Sequence, residues 1–235
     1  MKPVAIFRAS RSEGPGYFAT YLERRSFPWK LFALDEGEKP PRDPRRFAGV
    51  VFMGGPMSVN DDLPWIAPAL GLIREAARND IPVLGHCLGG QLMSKAFGGT
   101  VGPNPVREIG WGEVRVSQNG LARAWLGEPG SFLGFHWHGE AFTIPPGATR
   151  ILENEHCLNQ GFALGIHVGL QTHVEMTDEL VRSWVSSGRA EIEAHAKSPA
   201  VQKPAEIESH LGPRLDALHE VANRIYDRWV ASLRR

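Results

Sequence analysis

The stretch that decides the fold reads Ile81-Pro82-Val83-Leu84-Gly85-His86-Cys87-Leu88-Gly89-Gly90-Gln91. An apolar run typical of a buried strand stops at Gly85, and a helical pattern begins at Gln91. Gly85-x-Cys87-x-Gly89 between them suits a nucleophile elbow, a tight turn that needs small neighbours and exposes its nucleophile at the sheet edge. The N-terminus of the following helix would favour the thiolate of Cys87. A buried structural cysteine is the alternative, but the flanking glycines and the preceding strand favour catalysis.

Composition narrows the class of protein. The 235 residues are 42% hydrophobic and 22% charged, enough for a sizeable core. Lys and Arg together number 26, as do Asp and Glu, so the charge balance favours neither a nucleic-acid nor a membrane partner. Two cysteines, Cys87 and Cys157, make no disulfide scaffold, and the apolar run 4–7 is too short for a secretory signal or a membrane span. We therefore expect a cytoplasmic protein.

Predicted strands and helices alternate along the chain. The pattern predicts strands over 4–7, 29–34 and 49–53, helices over about 17–25 and 62–78, and surface loops over 35–46 and 102–105. Further strands are predicted over 113–116, 132–137, 149–152, 163–166 and 168–172, with a helix over 121–126 and another that begins after Thr177 as its N-cap. This alternation predicts a single α/β domain over residues 1–190, with an open, mostly parallel central sheet and helices on both faces.

Residues 191–235 are predicted to form a C-terminal helical extension packed on the same domain. Apolar residues recur there every three or four positions, namely Ile207, Leu211, Leu215, Leu218, Ala222, Ile225 and Trp229. This stripe favours a helix packed on its own sheet, and a face that binds a partner is the alternative. Gly212-Pro213 interrupts the pattern, which predicts a kink or two helices with Pro213 in the first turn of the second.

A cysteine nucleophile needs a base, and the base needs an orienting group. Of the nine histidines, His173 has the most suitable surroundings, because it ends an apolar strand pattern and Glu175 follows two residues later. A spacing of two places both side chains on one side of an extended segment, so the carboxylate can fix the tautomer of the imidazole. An ordinary surface histidine beside a glutamate is the alternative.

Several other histidines invite a metal interpretation. His136-x-His138, the pair His156-Cys157, and His167 supply potential ligands. The chain has no CxxC, no HExxH and no carboxylate-rich loop, and the spacings match no structural zinc pattern. We therefore expect neither a metal nor another cofactor, and we interpret Cys157 as a loop or core thiol.

Four segments in order resemble the class I glutamine amidotransferases, the family with a Cys-His-Glu triad. Residues 85–91 resemble the family's G-x-C-x-G-x-Q elbow, and residues 53–58 (Met-Gly-Gly-Pro-Met-Ser) its S-G-G-P-x-S strand. Residues 138–140 (His-Gly-Glu) are similar to its H-G-D segment, and residues 171–175 (Gln-Thr-His-Val-Glu) to its Q-F-H-P-E. The resemblance covers residues 4–187, implies a flavodoxin-like fold, and is nearest to free-standing members similar to GMP synthase.

The resemblance implies roles for eight residues. Cys87 would attack the side-chain amide of glutamine, His173 would transfer protons and Glu175 would orient His173. The backbone N–H groups of Gly55 and Leu88 would form the oxyanion hole. The substrate would be held by Gln91, His138 and Gly139.

Three departures from the family pattern bear on substrate choice. Met53 replaces a serine and Val174 a proline, and both leave the triad spacing intact. Trp137 stands where relatives have a small polar residue beside the substrate. The resemblance implies hydrolysis of glutamine with release of ammonia, and leaves open a separate synthetase subunit as the partner that receives the ammonia. A γ-glutamyl peptidase with the same triad is the alternative, motivated by Trp137, and a non-catalytic binding module is a third.

Overall fold

A ten-stranded sheet runs through the protein, seen here in a computed structural model that describes residues 1–128 and 130–234. Its strands are β1 (Val4–Arg8), β2 (Trp29–Ala33), β3 (Gly49–Phe52), β4 (Val83–His86), β5 (Val101–Val116), β6 (Ser131–Phe142), β7 (Thr149–Glu153), β8 (Gly161–Leu164), β9 (His167–Leu170) and β10 (Ala200–Val201). The helices are α1 (Gly16–Arg24), α2 (Ile66–Arg78), α3 (Leu88–Ala96), α4 (Gly120–Leu126), α5 (Asp178–Ser187), α6 (Arg189–Ala194), α7 (Pro204–Ile207) and α8 (Leu211–Val230).

The strand order is β10-β5-β7-β8-β9-β4-β3-β1-β2, and β6 pairs with β5 outside this path. Strands β2, β1, β3, β4 and β9 are mutually parallel. From β9 through β8 and β7 to β5 the pairing is antiparallel. This arrangement confirms the predicted α/β fold with an open, mostly parallel sheet. It also brings the carboxyl ends of β1, β3, β4 and β9 to one edge, where ligands bind in such sheets.

Helices cover both faces of the sheet. Alternate residues of each buried strand point to opposite faces, so each face presents apolar side chains that a helix layer buries. In β1, Val4 and Ile6 join the apolar cluster that contains α8, whereas Ala5 and Phe7 join the cluster that contains α2 and α3. Both clusters are dominated by aliphatic and aromatic side chains that are almost fully buried. Each strand therefore contributes to two cores, as its near-continuous apolar sequence predicts.

Several predicted elements differ in extent from the observed ones. Helix α2 begins at Ile66, four residues after the predicted start. Residues 102–105 belong to strand β5, which begins at Val101 and pairs with β6, and are not the predicted loop. The prolines of this segment fall where the register of the β5–β6 ladder shifts, between Pro103 and Glu108, and a bulge tolerates a missing backbone N–H. The predicted loop 35–46 also contains two short 3₁₀ turns.

The C-terminal residues pack on the sheet. The predicted apolar stripe of α8 is buried, and Pro213 lies in the first turn of this helix, as expected. The short strand β10 and helices α6 and α7 precede it, so the segment is less continuously helical than its pattern indicates. The division of the chain at residue 190 stays a prediction. Over the described residues, none of the helices combines the length and the apolar character that crossing a bilayer requires.

Candidate active site

Cys87 lies in the tight turn between β4 and α3. Its φ of 48° is in the left-handed region, which is unfavourable for a residue with a side chain. The backbone N–H of Cys87 donates to the Leu170 carbonyl of β9 at 2.8 Å, which holds the turn against the neighbouring strand. A methyl group on Gly85 would overlap the backbone of Gly89, and one on Gly89 would overlap the Phe52 carbonyl. The glycines around the cysteine are therefore required by close backbone approaches, as in a nucleophile elbow.

The structure brings His173 and Glu175 together just beyond β9. The imidazole Nδ1 lies 2.7 Å from Oε1 of Glu175, and both side chains are almost fully buried. The backbone N–H of His173 donates to the Phe135 carbonyl of β6 at 2.8 Å. This bond fixes the extended backbone that places the side chains of His173 and Glu175 on the same side of the segment.

His173 and Glu175 shift each other's pKa values. Burial alone would lower the pKa of His173, but the negative charge of Glu175, the neighbouring sulfur of Cys87 and the hydrogen bond to Glu175 raise it well above 6.5. Burial alone would raise the pKa of Glu175, but the positive charges of His86 and His173 lower it below its ordinary range. Nε2 of His173 makes no hydrogen bond to a described residue, and the neighbouring Cys87 shifts the pKa of the ring, so this nitrogen is available to exchange a proton with the sulfur.

His86 is a second neighbour of Glu175 that the sequence reasoning left without a role. Its Nδ1 lies 3.0 Å from Oε2 of Glu175, and its side chain is fully buried. The approach is out of line for a hydrogen bond. Glu175 is therefore held between two imidazoles, one on each carboxylate oxygen.

The two predicted oxyanion donors lie beside the cysteine. Gly55 follows β3 and lines the cavity together with Cys87. A methyl group on Gly55 would come within 2.8 Å of the Leu88 side chain, so the two residues are in contact. Over residues 1–128 and 130–234, neither backbone N–H donates to another protein group. Both donors are thus free to bind an oxyanion.

Gln91 lies within a chain of amide side chains that leads to the cysteine. Its Nε2 donates to Oε1 of Gln171 at 3.2 Å and to the Glu140 carbonyl at 3.3 Å. Gln171 in turn points its Nε2 at Sγ of Cys87, 3.5 Å away. Gln91 therefore lines the cavity with its amide already oriented.

His138 and Gly139 are held by charged side chains of β5. Nε2 of His138 lies 3.0 Å from Oε2 of Glu108, and its Nδ1 bonds to the Glu140 carbonyl. The Arg107 guanidinium packs so closely over Gly139 that a methyl group there would overlap it. His138 is thus oriented by a buried carboxylate, and Gly139 leaves room for Arg107.

Glu108, His136 and His138 also place metal-ligating atoms within 4.8 Å of one another. Glu108, however, already accepts hydrogen bonds from Asn154 and Gln160. Burial alone would raise the pKa of Glu108, but hydrogen bonding to His138 and the charges of both histidines lower it to about 2. The carboxylate of Glu108 is thus already bound by side chains of the protein, and the absence of a metal stays a prediction.

A cavity of about 500 Å³ opens above Cys87. Its outer wall carries Trp137, which the sequence comparison singled out, and Arg107, Trp184 and Glu191, which sequence reasoning missed. Trp137 donates from Nε1 to Oε2 of Glu191 at 2.9 Å, and Arg107 forms an ion pair with the other oxygen. Trp184 donates from Nε1 to the Ser12 carbonyl at 2.7 Å and packs edge-on against His173, with ring centroids 4.9 Å apart.

Comparisons with known proteins point to one family. A family model described as glutamine amidotransferase class I matches residues 18–183. The crystal structure of a glutamine amidotransferase from Methylobacillus flagellatus is 42% identical, with a TM-score of 0.97 over 100% of this chain and 96% of that one.

Three relatives carry different names. The glutamine amidotransferase-like protein YfeJ of Salmonella typhimurium is 29% identical over 77% of this chain and 78% of its own length. Gamma-glutamyl peptidase 3 of Arabidopsis thaliana is 25% identical over 71% of each chain. A glutamine-hydrolysing GMP synthase of Aromatoleum aromaticum is 34% identical over 55% of this chain, but the match spans 26% of that protein.

Proposed function

Because this chain belongs to the class I glutamine amidotransferase family, we propose that it hydrolyses the side-chain amide of glutamine through a thioester on Cys87. The family implies an amidohydrolase. The observation that supports the proposal is the position of the His173–Glu175 pair, which follows β9 at the edge of the sheet where Cys87 follows the neighbouring strand β4, with two free backbone N–H groups beside the sulfur. A nucleophile, a base, an orienting carboxylate and an oxyanion site are the complete set of groups that acyl transfer needs.

In the first half-reaction Sγ of Cys87 bonds to the amide carbon of the substrate. The carbonyl oxygen takes up negative charge and accepts hydrogen bonds from the N–H groups of Gly55 and Leu88. The carbon–nitrogen bond then breaks, and the imidazolium of His173 gives its proton to the leaving nitrogen. Ammonia departs and a γ-glutamyl thioester remains on the enzyme.

In the second half-reaction a water molecule replaces ammonia beside His173. The imidazole, now neutral, takes a proton from this water as its oxygen attacks the thioester carbon. The carbon–sulfur bond breaks, which releases glutamate and restores the thiolate of Cys87. Glu175 keeps Nδ1 of His173 protonated, so that Nε2 is the nitrogen that exchanges protons.

Mass spectrometry of the protein treated with glutamine, or with the glutamine-mimicking affinity label 6-diazo-5-oxo-norleucine, tests the proposal. We expect modification at Cys87 alone and none after Cys87→Ser. Cys157 is an internal control, because burial raises the pKa of its thiol to about 12 and keeps it protonated. Labelling elsewhere, or equal labelling of both cysteines, would contradict the proposal.

A γ-glutamyl peptidase is the second candidate. The cavity extends past Cys87 to Trp137 and Glu191, and its volume lies in the usual range for ligands larger than one amino acid. The Arabidopsis relative named a gamma-glutamyl peptidase supports this candidate. Ammonia release from glutamine is compared with amine release from γ-glutamyl peptides. Turnover of peptides without turnover of glutamine would favour the peptidase.

We propose a separate synthetase as the partner that would use the released ammonia. The relative named GMP synthase is described as glutamine-hydrolysing, and this chain matches about a quarter of it. Copurification of the chain from its source with an ATP-dependent synthetase, and faster glutamine hydrolysis in that complex, would support such a partner. If the isolated chain hydrolysed glutamine at its full rate and no copurified protein changed that rate, the result would count against a synthetase partner.

A further inference from the structure

Glu13 is a carboxylate of the cavity that the mechanism above does not use. It lies in the segment after β1, at the same sheet edge as Cys87, and lines the cavity. A methyl group on Gly54 would overlap Oε2 of Glu13 and would lie 3.2 Å from Cε1 of His173. Glu13 and His173 therefore flank Gly54 from two sides, and the carboxylate lies within a few ångströms of the catalytic imidazole.

The carboxylate of Glu13 has no partner among the described residues. No hydrogen bond or ion pair reaches it from residues 1–128 or 130–234. Burial, opposed in part by the charge of His173 and reinforced by Glu175 and Glu191, raises the pKa of Glu13 to about 7. An unpaired carboxylate in such a place gains most from a ligand that brings a positive charge.

The rest of the cavity wall also favours a positively charged ligand. Its one guanidinium, on Arg107, is already ion-paired with Glu191. Glu140, like Glu13, lines the cavity without an ion pair to any described residue, and it lies at the end that holds Gln91. The wall thus offers two carboxylates without an ion pair to a described residue, one beside Gln91 and one beside His173.

The position of His173 tells which part of a substrate meets Glu13. In the proposed mechanism His173 protonates the leaving nitrogen, so this nitrogen must lie against the imidazole. Glu13 and Trp184 line the cavity beside this imidazole, so we place a substituent on the leaving nitrogen along their side of the cavity. Glu13 therefore faces the leaving group, and Gln91 and Glu140 are left for the glutamyl part.

We propose that Glu13 forms a leaving-group subsite that selects γ-glutamyl amides whose leaving amine bears a second, positively charged amino group. This inference rests on the proposed function, and it names the substrate class of the same site. In the reaction Sγ of Cys87 bonds to the γ-carbonyl carbon, and the leaving nitrogen departs with a proton from His173. Water then releases glutamate, so the products are glutamate and a diamine. An amino-acid leaving group would instead bring its carboxylate against Glu13.

Three γ-glutamyl amides of similar size test the inference. The amides of ethane-1,2-diamine, propylamine and glycine present a positive, a neutral and a negative leaving group. Their kcat/KM values are measured at pH 8, where Glu13 is ionised, with the wild type, Glu13→Gln and Glu140→Gln. We expect the wild type to prefer the diamine over propylamine by about tenfold and to use the glycine amide least. Glu13→Gln should reduce this preference to about threefold or less, whereas Glu140→Gln should leave the ratios unchanged.

The outcomes separate the two proposals. Turnover of all three amides at similar rates by the wild type would overturn the inference and leave the proposed function standing. An equal fall for all three amides in Glu13→Gln would also overturn it, because Glu13 would then bind the shared glutamyl part. Absence of turnover of every amide and of glutamine would contradict the proposed function and the inference with it. The wild-type ranking decides the question even where Glu13→Gln does not fold.

Discussion

The inner and outer halves of the cavity are built in different ways. The inner half holds Cys87, which directly follows β4, and His173 and Glu175, which follow β9. Backbone hydrogen bonds tie Cys87 to β9, His173 to β6 and Glu175 to the first turn of α1. The outer half consists of Trp137, Trp184, Glu191 and their neighbours, which are joined mainly by side-chain hydrogen bonds and one partly exposed ion pair. The first arrangement leaves little freedom, because it is part of the sheet itself.

Under the proposed function, this difference separates the residues that react with the substrate from the residues that select it. Groups that must stay within a few tenths of an ångström of a reacting atom are best held by regular elements. Side chains on helices α5 and α6 can be exchanged without disturbing the sheet, so they can set which substrates enter. The comparison predicts that changes in the inner half lower kcat, whereas changes in the outer half alter KM and substrate preference.

The largest effect is expected from Glu175→Gln. The amide keeps the shape of the side chain but removes the charge that orients and stabilises the His173 imidazolium. The equivalent change in the serine protease triad costs about 10⁴-fold in kcat, and we expect a fall of about 10³-fold or more. Steady-state kinetics of the amidase reaction measures it.

Asp178→Asn is the matched control for Glu175→Gln. Asp178 is an exposed carboxylate in the first turn of α5, paired with Arg182, and its loss should leave kcat nearly unchanged. A kcat of Glu175→Gln within tenfold of the wild type would show that the inner half does not depend on this carboxylate.

The second prediction tests the rigidity of the inner half through Gly89→Ala. The new methyl group would overlap the Phe52 carbonyl of β3, and a strand backbone cannot move aside as a side chain can. Overpacking of this kind lowers the free energy of unfolding by about 3 kcal/mol. Urea denaturation followed by circular dichroism measures the change.

Gly71→Ala provides the control in an ordinary helix. Gly71 lies on the exposed side of α2, and a methyl group there would meet no atom within 4 Å. Alanine favours a helix interior over glycine by about 0.5–1 kcal/mol, so this variant should be slightly more stable than the wild type. Equal effects at both positions would show that the elbow is not tightly packed.

Much of the inner half was predictable from local patterns. The apolar run before Cys87 and the glycines after it are consecutive in sequence, and His173 and Glu175 lie two residues apart. Parallel strands direct all their carboxyl ends to one edge, so recognising the strands brings distant residues such as Gly55 and His173 together. The same rule could have identified Glu13, because it follows the first predicted strand, but its side chain carries no motif.

The outer half was not predictable in this way. Trp184 and Glu191 reach the cavity only because helices α5 and α6 pack over it, and that packing depends on contacts with residues far away in sequence, such as Ser12 and Trp137. Helical periodicity shows which residues are buried but not which surface covers them. The same reason explains the error at residues 102–105, where strand pairing with β6 overrides the local preference of prolines for a loop.

The third prediction concerns Glu13, which lies where the two halves meet. Its pKa is 4.5 in the unfolded chain and about 7 in the folded protein. The folded state therefore keeps the proton over a range in which the unfolded state has lost it, so Glu13 reduces stability progressively as the pH rises from about 4.5 to about 7. Glu13→Gln removes this charge. The free energy of unfolding of the variant minus that of the wild type should therefore be about 2 kcal/mol larger at pH 8 than at pH 5.

Thermal or urea unfolding of Glu13→Gln and the wild type at both pH values measures this difference. Glu23→Gln, on the exposed surface of α1, controls for the loss of one negative charge. A stability difference that is the same at pH 5 and pH 8 would show that the carboxylate of Glu13 is well solvated and belongs to the outer half.

The smallest effect is expected from Glu191→Gln in the outer half. The amide oxygen can still accept the hydrogen bond of Trp137, and only the ion pair with Arg107 is lost. Both partners of this pair are about one-third exposed, with side-chain accessibilities of 32% and 37%, so solvent screens it and about 1 kcal/mol is at stake. We expect KM for γ-glutamyl amides to rise about fivefold while kcat changes less than twofold, and Glu193→Gln on the exposed side of α6 to change neither. If kcat instead fell as far as KM rose, the outer wall would also be positioning the reacting groups, and the two halves would have to be treated as one catalytic unit.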